Sequence, residues 1–391
     1  MNNKPTMLYA SPLPPQKSGI SDYSVALIKA LSKVYDITLY TGNYILDEPS
    51  LTDYPVLRHG YDDIDFNSFD YRIYNIGNHP GFHGFIYEAA IKHPGMVILH
   101  DYMLYFLFTG YYQKQNDLYS KLYSANDLNS FLTVKRAVKK NGTDLLNQPE
   151  LTFSLSLNKE LLSSGNKIMV HSEYARNKVL STGFIAEDMV RKINHLAHVD
   201  TSSDYCISKE ELFSKYNIPT DAFVISSLGY IAPTKLNREI CEAVKSISNY
   251  SSRKLCYVMV GDGDYVDDEL EFGRIIKTGY AGEKEFNSFI MHSDLIVNLR
   301  YPSVGETSGA MIRILQLGKA CIINDIGWFA EIPDECAVKI GTDNIKADLE
   351  SSIKELAEDE KRRQSLGENA AIYIEKEFAP EIIVEKIREF I

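Results

Sequence analysis

Two short stretches carry residue types that could hold and release a diphosphate. The first is Val304-Gly305-Glu306-Thr307-Ser308-Gly309, between an apolar run and the amphipathic stretch Ala310–Gly318. There the amides of Ser308 and Gly309 would sit at a helix N-terminus, where unpaired N–H groups and the helix dipole favour an anion. Glu306, beside Thr307, offers a carboxylate to sugar hydroxyls, and the pattern gives it little structural reason to be there. Arg313 follows about two helical turns on, on a similar face. The second stretch is Leu228-Gly229-Tyr230-Ile231-Ala232-Pro233-Thr234-Lys235, after the apolar run Val224–Ser227. A glycine turn and then a lysine suits a pyrophosphate, because the cation lies where a leaving phosphate gains charge.

Polar residues directly after apolar runs form a second set. His100-Asp101 follows Met96–Leu99, Asn78-His79 follows Tyr71–Asn75, and His171-Ser172-Glu173 follows Lys167–Val170. A polar pair at such a strand end points toward a cleft rather than the core, and a histidine there can donate or accept a hydrogen bond at neutral pH. For His171 a helix start competes, with Ser172 as cap and Glu173 in the first turn. Gly19, in the loop Ser11–Tyr23, would let backbone approach a ligand closely, with Ser21 or Asp22 capping the next helix. Asp262-Gly263-Asp264 has the form of a metal-binding pair, but its place after a strand reads as a turn. No metal or other cofactor is expected. No G-x-G-x-x-G opens a helix, which weighs against a dehydrogenase.

These residues need elements to position them. Strands are predicted over Met7–Ser11, Ile37–Tyr40, Tyr71–Asn75, Met96–Leu99 and Lys167–Val170, with a helix over Ser21–Ser32. A second series has strands Val224–Ser227, Tyr257–Val260, Leu295–Leu299 and Cys321–Asn324, and helices Arg238–Ile247, Glu283–Met291 and Ala310–Leu317. Strands alternating with helices imply α/β domains with parallel sheets covered on both faces. The polar break Thr201-Ser202-Ser203-Asp204 places a boundary there: residues 1–200, then 201–379, then a terminal helix, 380–391, expected to cross back to the first domain. A ligand between the halves would meet the carboxyl ends of both sheets.

A net charge of −12 argues against nucleic acid as partner, since that binding needs a positive surface. Five cysteines without CxxC spacing argue against a disulfide framework or a zinc site. No run approaches the roughly 18 apolar residues of a membrane span, and the N-terminal apolar stretch is too short for a signal peptide. A soluble, cytoplasmic protein is expected. The aromatic segment Tyr102–Tyr123, followed by Lys135, Arg136, Lys139 and Lys140, reads either as a buried helix with a solvated one after it or as a surface facing acceptor or membrane.

Taken in order, SPLPPQKSGISDYS, VILHD, IMVHSEYARNKV, SLGYIAPTK, VMVGDGD and VGETSGAMIRILQLGKACIINDIGWFAEIPD resemble the retaining glycosyltransferases of the GT-B fold, in the large family 4 group, over nearly the whole chain. The resemblance is nearest to bacterial enzymes that build O-antigen, capsule or related polysaccharides, often mannosyltransferases. It implies two Rossmann-like domains with sheets facing a cleft, acceptor on the first and nucleotide-sugar on the second, and metal-independent chemistry. Lys235 matches the lysine that holds the donor diphosphate. Tyr230 stands where the pattern has an arginine, and Arg313 where it has a ribose-binding carboxylate. His100 matches a histidine near the transferred sugar, and Gly19 a glycine near the phosphates.

The resemblance therefore implies a hexosyltransferase with catalytic His100, Lys235 and Glu306. Donor binding falls to Gly19, Gly229, Tyr230, Lys235, Glu306, Thr307, Ser308, Gly309 and Arg313. The acceptor side falls to Asn78, His79, Asp101 and His171. The partners implied are a nucleotide-sugar, with a lean to GDP-mannose, and a glycan or lipid-linked glycan acceptor. Peripheral contact with the inner face of the cell membrane or with a polysaccharide assembly complex is also implied. A GT-B nucleotide-sugar 2-epimerase and a catalytically silent binding module are the alternatives.

Overall fold

The computed structural model describes residues 4–145, 148–199, 206–248, 254–266 and 275–391. They form two compact units. The first comprises residues up to Leu196 together with Val304–Thr307 and Pro380–Ile391, and the second the rest from Ala197. The boundary predicted at Thr201–Asp204 lies outside the described residues.

The first unit contains a seven-stranded parallel sheet. Its strands are β1 (Thr6–Ala10), β2 (Asp36–Thr41), β3 (Val56–Arg58), β4 (Tyr71–Ile76), β5 (Met96–Leu99), β6 (Lys167–Val170) and β7 (Val190–Lys192), in the order β3-β2-β1-β4-β5-β6-β7. The second unit has six parallel strands: β8 (Phe223–Leu228), β9 (Leu255–Val260), β10 (Ile275–Lys277), β11 (Leu295–Val297), β12 (Cys321–Asn324) and β13 (Val338–Ile340), in the order β10-β9-β8-β11-β12-β13. Both orders are those of a doubly wound α/β sheet, which reverses direction between its first and fourth strands. The crevice at that reversal, outside the carboxyl ends of the strands, is where such sheets bind ligands. It lies between β1 and β4 in one unit and between β8 and β11 in the other.

The central strands are buried on both faces, which is why they read as unbroken apolar runs: Met7 to Ala10, Val97 to Leu99 and Leu255 to Val260 are all buried. In the first unit the helix Pro380–Arg388 sets Ile383, Val384 and Ile387 into the core that Tyr23 and Leu27 of the helix Gly19–Leu31 line. That helix starts earlier than predicted, because Ser18 and not Ser21 or Asp22 is its cap, accepting from Ile20 N at 3.2 Å. The aromatic segment divides. Tyr105, Leu107, Phe108 and Tyr112 are core, whereas Tyr119 and Tyr123 are exposed.

Candidate functional site

In the first unit the polar residues gather at the carboxyl end of the sheet. His100 N donates to Ile76 O at 2.9 Å, extending the β4–β5 ladder one step, so the ring leaves a fixed backbone. Its Nε2 lies 3.0 Å from Asn75 Oδ1, and Asn75 Nδ2 donates to Ala10 O at 3.2 Å across the β1–β4 crevice. Since the amide nitrogen is spent on Ala10, the amide oxygen accepts, and the network assigns the His100 proton to Nε2.

Around Tyr23 stand three imidazoles, His100, His171 and His195, with ring centroids 5.0, 5.5 and 4.4 Å from the phenol ring. His171 Nδ1 meets Ile193 O at 3.0 Å, and His83 Nδ1 meets Asn75 O at 3.0 Å. Burial pushes His83 and His171 down to about 4. Burial first, and then the neighbouring imidazoles, holds His100 well below the usual histidine range. His83, His100 and His171 are therefore neutral at pH 7. Among the described residues, Tyr23 OH and His171 Nε2 are buried without a hydrogen-bond partner. Gly77 packs closely beside His83: a Cβ there would fall 2.5 Å from Ile20 Cδ1 and 2.9 Å from His83 Nε2, so those side chains would have to shift.

The other first-unit candidates have structural employment. Asn78 Oδ1 accepts from Phe106 N and Leu107 N at 2.9 and 3.1 Å, capping the helix Tyr105–Lys114, whose own cap residue makes no side-chain bond. Asp101 Oδ2 accepts from Asn78 N at 2.9 Å and so holds that cap in place. His79 caps the helix Pro80–Lys92 through Phe82 N at 3.3 Å. Gly19 opens its helix with nothing within 4 Å of where a Cβ would be.

Glu306 and Thr307 belong to the first unit, while Ser308 and Gly309 belong to the second, so the stretch read as one motif is split. Glu306 has the local structural role the pattern concealed: its Oε2 accepts from Val304 N at 2.8 Å. Gly305, at φ +98°, lies where a Cβ would come 2.8 Å from Tyr102 Cβ.

In the second unit the turn after β8 is built to close tolerance. Gly229 N donates to Val260 O at 2.9 Å and Ile231 N to Asp262 O at 2.8 Å. A Cβ on Gly261 would fall 2.2 Å from Gly229 O, and one on Gly263 2.3 Å from Ile231 O. The Asp262-Gly263-Asp264 segment thus braces the neighbouring turn, and both glycines admit its backbone. Gly229 itself takes φ +101°, and Leu236, directly after Lys235, is held in the left-handed region at φ +54°. Strain of that kind in a non-glycine residue persists where the surroundings over-determine it, often at ligand sites.

Lys235 folds back over this turn and reaches across the β8–β11 crevice. Its Nζ lies 3.4 Å from both Leu228 O and Asn298 Oδ1. Tyr230 projects from the turn, 66% exposed. Ser308 caps the helix Gly309–Gln316 by accepting from Met311 N at 3.2 Å, and around Gly309 nothing lies within 4 Å of a would-be Cβ. Arg313 is turned toward the helix Glu283–His292, pairing with Glu283 at 3.2 Å and lying 3.4 Å from His198 Nε2. These partners tether it along its own unit.

Sequence reading did not single out Asn75, Tyr23, His195, Asn298, Arg300 or Asn324. Asn298, Arg300 and Asn324 carried a legible signal, since they end or directly follow strands in LIVNLR and CIIN. His195 follows β7, a strand too short and charged to be recognised.

Two doubly wound units with polar clusters at their switch points define the GT-B fold. In sequence the chain matches no family model and no curated protein. In structure it is similar to Anabaena Alr3699/HepE, solved in complex with UDP and glucose, with a TM-score of 0.64, 13% identity and 98% of each chain covered. It is also similar to WaaG, a glycosyltransferase involved in lipopolysaccharide biosynthesis, with a TM-score of 0.64, 11% identity, and 97% of this chain and 99% of WaaG covered. Sucrose-phosphate synthase of Thermosynechococcus elongatus has a TM-score of 0.63 and 13% identity, with 99% and 98% covered.

Proposed function

We propose that this chain is a retaining glycosyltransferase that moves a hexose from a nucleotide-sugar to a growing polysaccharide. The observation that carries the reading is Lys235, folded back over the Gly229 turn at the β8–β11 switch point and followed by the left-handed Leu236, with its ammonium 3.4 Å from Asn298. A cation held over a strand-end turn supports a diphosphate as its ligand. The HepE complex with UDP and glucose supports a nucleotide-sugar donor.

In the step proposed, the bond between the sugar's anomeric carbon and the donor phosphate oxygen breaks toward an oxocarbenium-like state. The acceptor hydroxyl oxygen forms the new bond on the same face, and its proton passes to the departing phosphate oxygen. Lys235 and the amides at Ser308 and Gly309 stabilise the charge gained by the diphosphate, the kind of electrostatic term that dominates many enzymes. His100, protonated on Nε2 toward Asn75, keeps Nδ1 as an acceptor at the carboxyl end of the first unit's sheet.

The donor proposed for first testing is GDP-mannose, beside UDP-glucose. A thermal-shift panel with GDP, UDP, ADP and dTDP tests the reading, because a ligand bound only by the folded state raises its melting temperature. Stabilisation by one diphosphate, followed by sugar transfer from the matching donor, is expected. No stabilisation by any of the four overturns it.

The acceptor proposed is lipid-linked, with the first unit touching an anionic membrane. The support is a surface where exposed Tyr119 and Tyr123 flank Phe131, with ring centroids 6.3 and 6.1 Å away, while Lys135, Arg136, Lys139 and Lys140 stand exposed on the helix Leu128–Asn141. Aromatic rings suit the apolar–wet boundary and lysines the headgroups. Among the described residues no helix is long and apolar enough to cross a membrane. Co-sedimentation with phosphatidylglycerol vesicles, weakened when all four basic residues become Gln, is expected; equal sedimentation of both proteins rejects this surface.

A further inference from the structure

A second cation reaches the Lys235 turn from the neighbouring strand. Asn298 and Arg300 follow β11 two residues apart, so on an extended backbone their side chains leave on the same side. Asn298 Oδ1 meets Lys235 Nζ at 3.4 Å, and Arg300 NH1 donates to Thr234 Oγ1, on the residue before Lys235, at 3.1 Å. Tyr301 N donates to Thr234 O at 2.9 Å. Thr234 is thus bonded through both its side chain and its carbonyl to the segment after β11, which fixes the guanidinium in register with the turn.

The base of Arg300 is anchored as well. Its backbone N donates at 2.7 Å to Oδ1 of Asn324, which is fully buried at the end of β12. Three strand ends, β8, β11 and β12, therefore converge on one arginine. Within the turn itself the outward side chain is the phenol of Tyr230, which brings no cation.

A nucleoside diphosphate carries two to three negative charges over two phosphates. A lysine is a point charge that engages one phosphate oxygen or bridges two loosely. A guanidinium presents a planar fork that engages two oxygens at once, and charge-assisted bonds of this type are about twice as strong as neutral ones.

We propose that Arg300 is the second diphosphate-binding residue of the donor site, supplying from the end of β11 the guanidinium that the turn lacks at Tyr230. The proposal rests on the donor-site reading given above. Arg300 would hold the non-transferring part of the diphosphate while Lys235 meets the oxygen that leaves. Thr234, which accepts from Arg300, keeps the two cations in step.

Isothermal titration of the full chain tests this, with three probes: inorganic pyrophosphate, the nucleoside diphosphate that stabilises the wild type, and its parent nucleoside. Arg300→Ala is expected to weaken both phosphorylated probes roughly 10- to 100-fold and to leave the nucleoside unchanged. Adding Tyr230→Arg to Arg300→Ala is expected to recover most of that loss. Arg300→Gln, which keeps a donor toward Thr234 but not the charge, controls for folding and is expected to bind as weakly as Arg300→Ala. Unchanged affinity of Arg300→Ala for the diphosphate overturns the proposal alone. So does an equal loss for nucleoside and diphosphate, which marks a structural role. A wild type that binds none of the probes overturns the donor-site reading, and this proposal with it.

Discussion

Asn75 binds Ala10 O with its amide nitrogen and His100 Nε2 with its amide oxygen, so a single side chain spans β1, β4 and the end of β5. The bond to Ala10 orients the amide, and the amide sets the histidine's tautomer. Around it the imidazoles of His83, His100 and His171 are kept neutral by burial.

That cluster makes the protein acid-sensitive in a defined window. His83 and His171 have folded-state values near 4 against about 6.5 unfolded, so between these limits the unfolded chain binds more protons. Stability is complete above pH 6.5 and falls as pH drops toward 4, by about 3 kcal/mol for each histidine when fully developed. Urea melts across pH 4 to 8 should show this fall, and His171→Gln should flatten it. A flat profile in the wild type would mean that the cluster opens to water at little cost.

Replacing Lys235 with alanine should lower turnover roughly 10²- to 10³-fold, the usual loss when one charge-stabilising contact is removed. Its bonds to Leu228 O and Asn298 Oδ1 are long, at 3.4 Å, so the melting temperature should change little. Near-normal turnover in the folded variant would remove this lysine from the mechanism.

Activity is expected to persist in EDTA. Asp262 O and Gly263 are committed to bracing the Gly229–Ile231 turn, and Asp262 Oδ1 accepts from Gly263 N at 2.9 Å, so the segment has a use that involves no ion. Complete loss of activity in EDTA, restored by Mn²⁺ or Mg²⁺, would assign the aspartates to a metal instead.

Arg313→Ala should leave nucleotide affinity within about twofold of wild type. Its side chain, 12% exposed, is engaged within its own unit by Glu283 and His198. A selective loss of diphosphate affinity would return Arg313 to the donor site.

The inner strands were legible because burial on both faces leaves each an apolar run: β5, β6 and β12 fall on the residues predicted for them, with a polar residue at one end of β6 and of β12. The strands not predicted are Val56–Arg58, Val190–Lys192, Ile275–Lys277 and Val338–Ile340, which are the four edges of the two sheets. Edge strands are short and tolerate charge, and so carry no apolar run to recognise. The turn that carries Gly229 and Lys235 was legible because its residues lie together in sequence directly after β8. The bond that Glu306 accepts from Val304 N was not legible, because a carboxylate in a loop gives no sign in the sequence of which amide it will meet.

What the sequence determined by itself is therefore local: which runs must be buried, where a glycine turn precedes a lysine, and which residues end strands. The tertiary structure decided which strand ends become neighbours. Arg300 stands 66 positions from Thr234 and His195 lies far along the chain from Tyr23, yet parallel crossovers bring each pair together. The hydrophobic pattern specifies that a strand is buried but not which strand lies beside it. That choice is made only when helices cover the sheet and its winding reverses, and the crevice created there is where both polar clusters form.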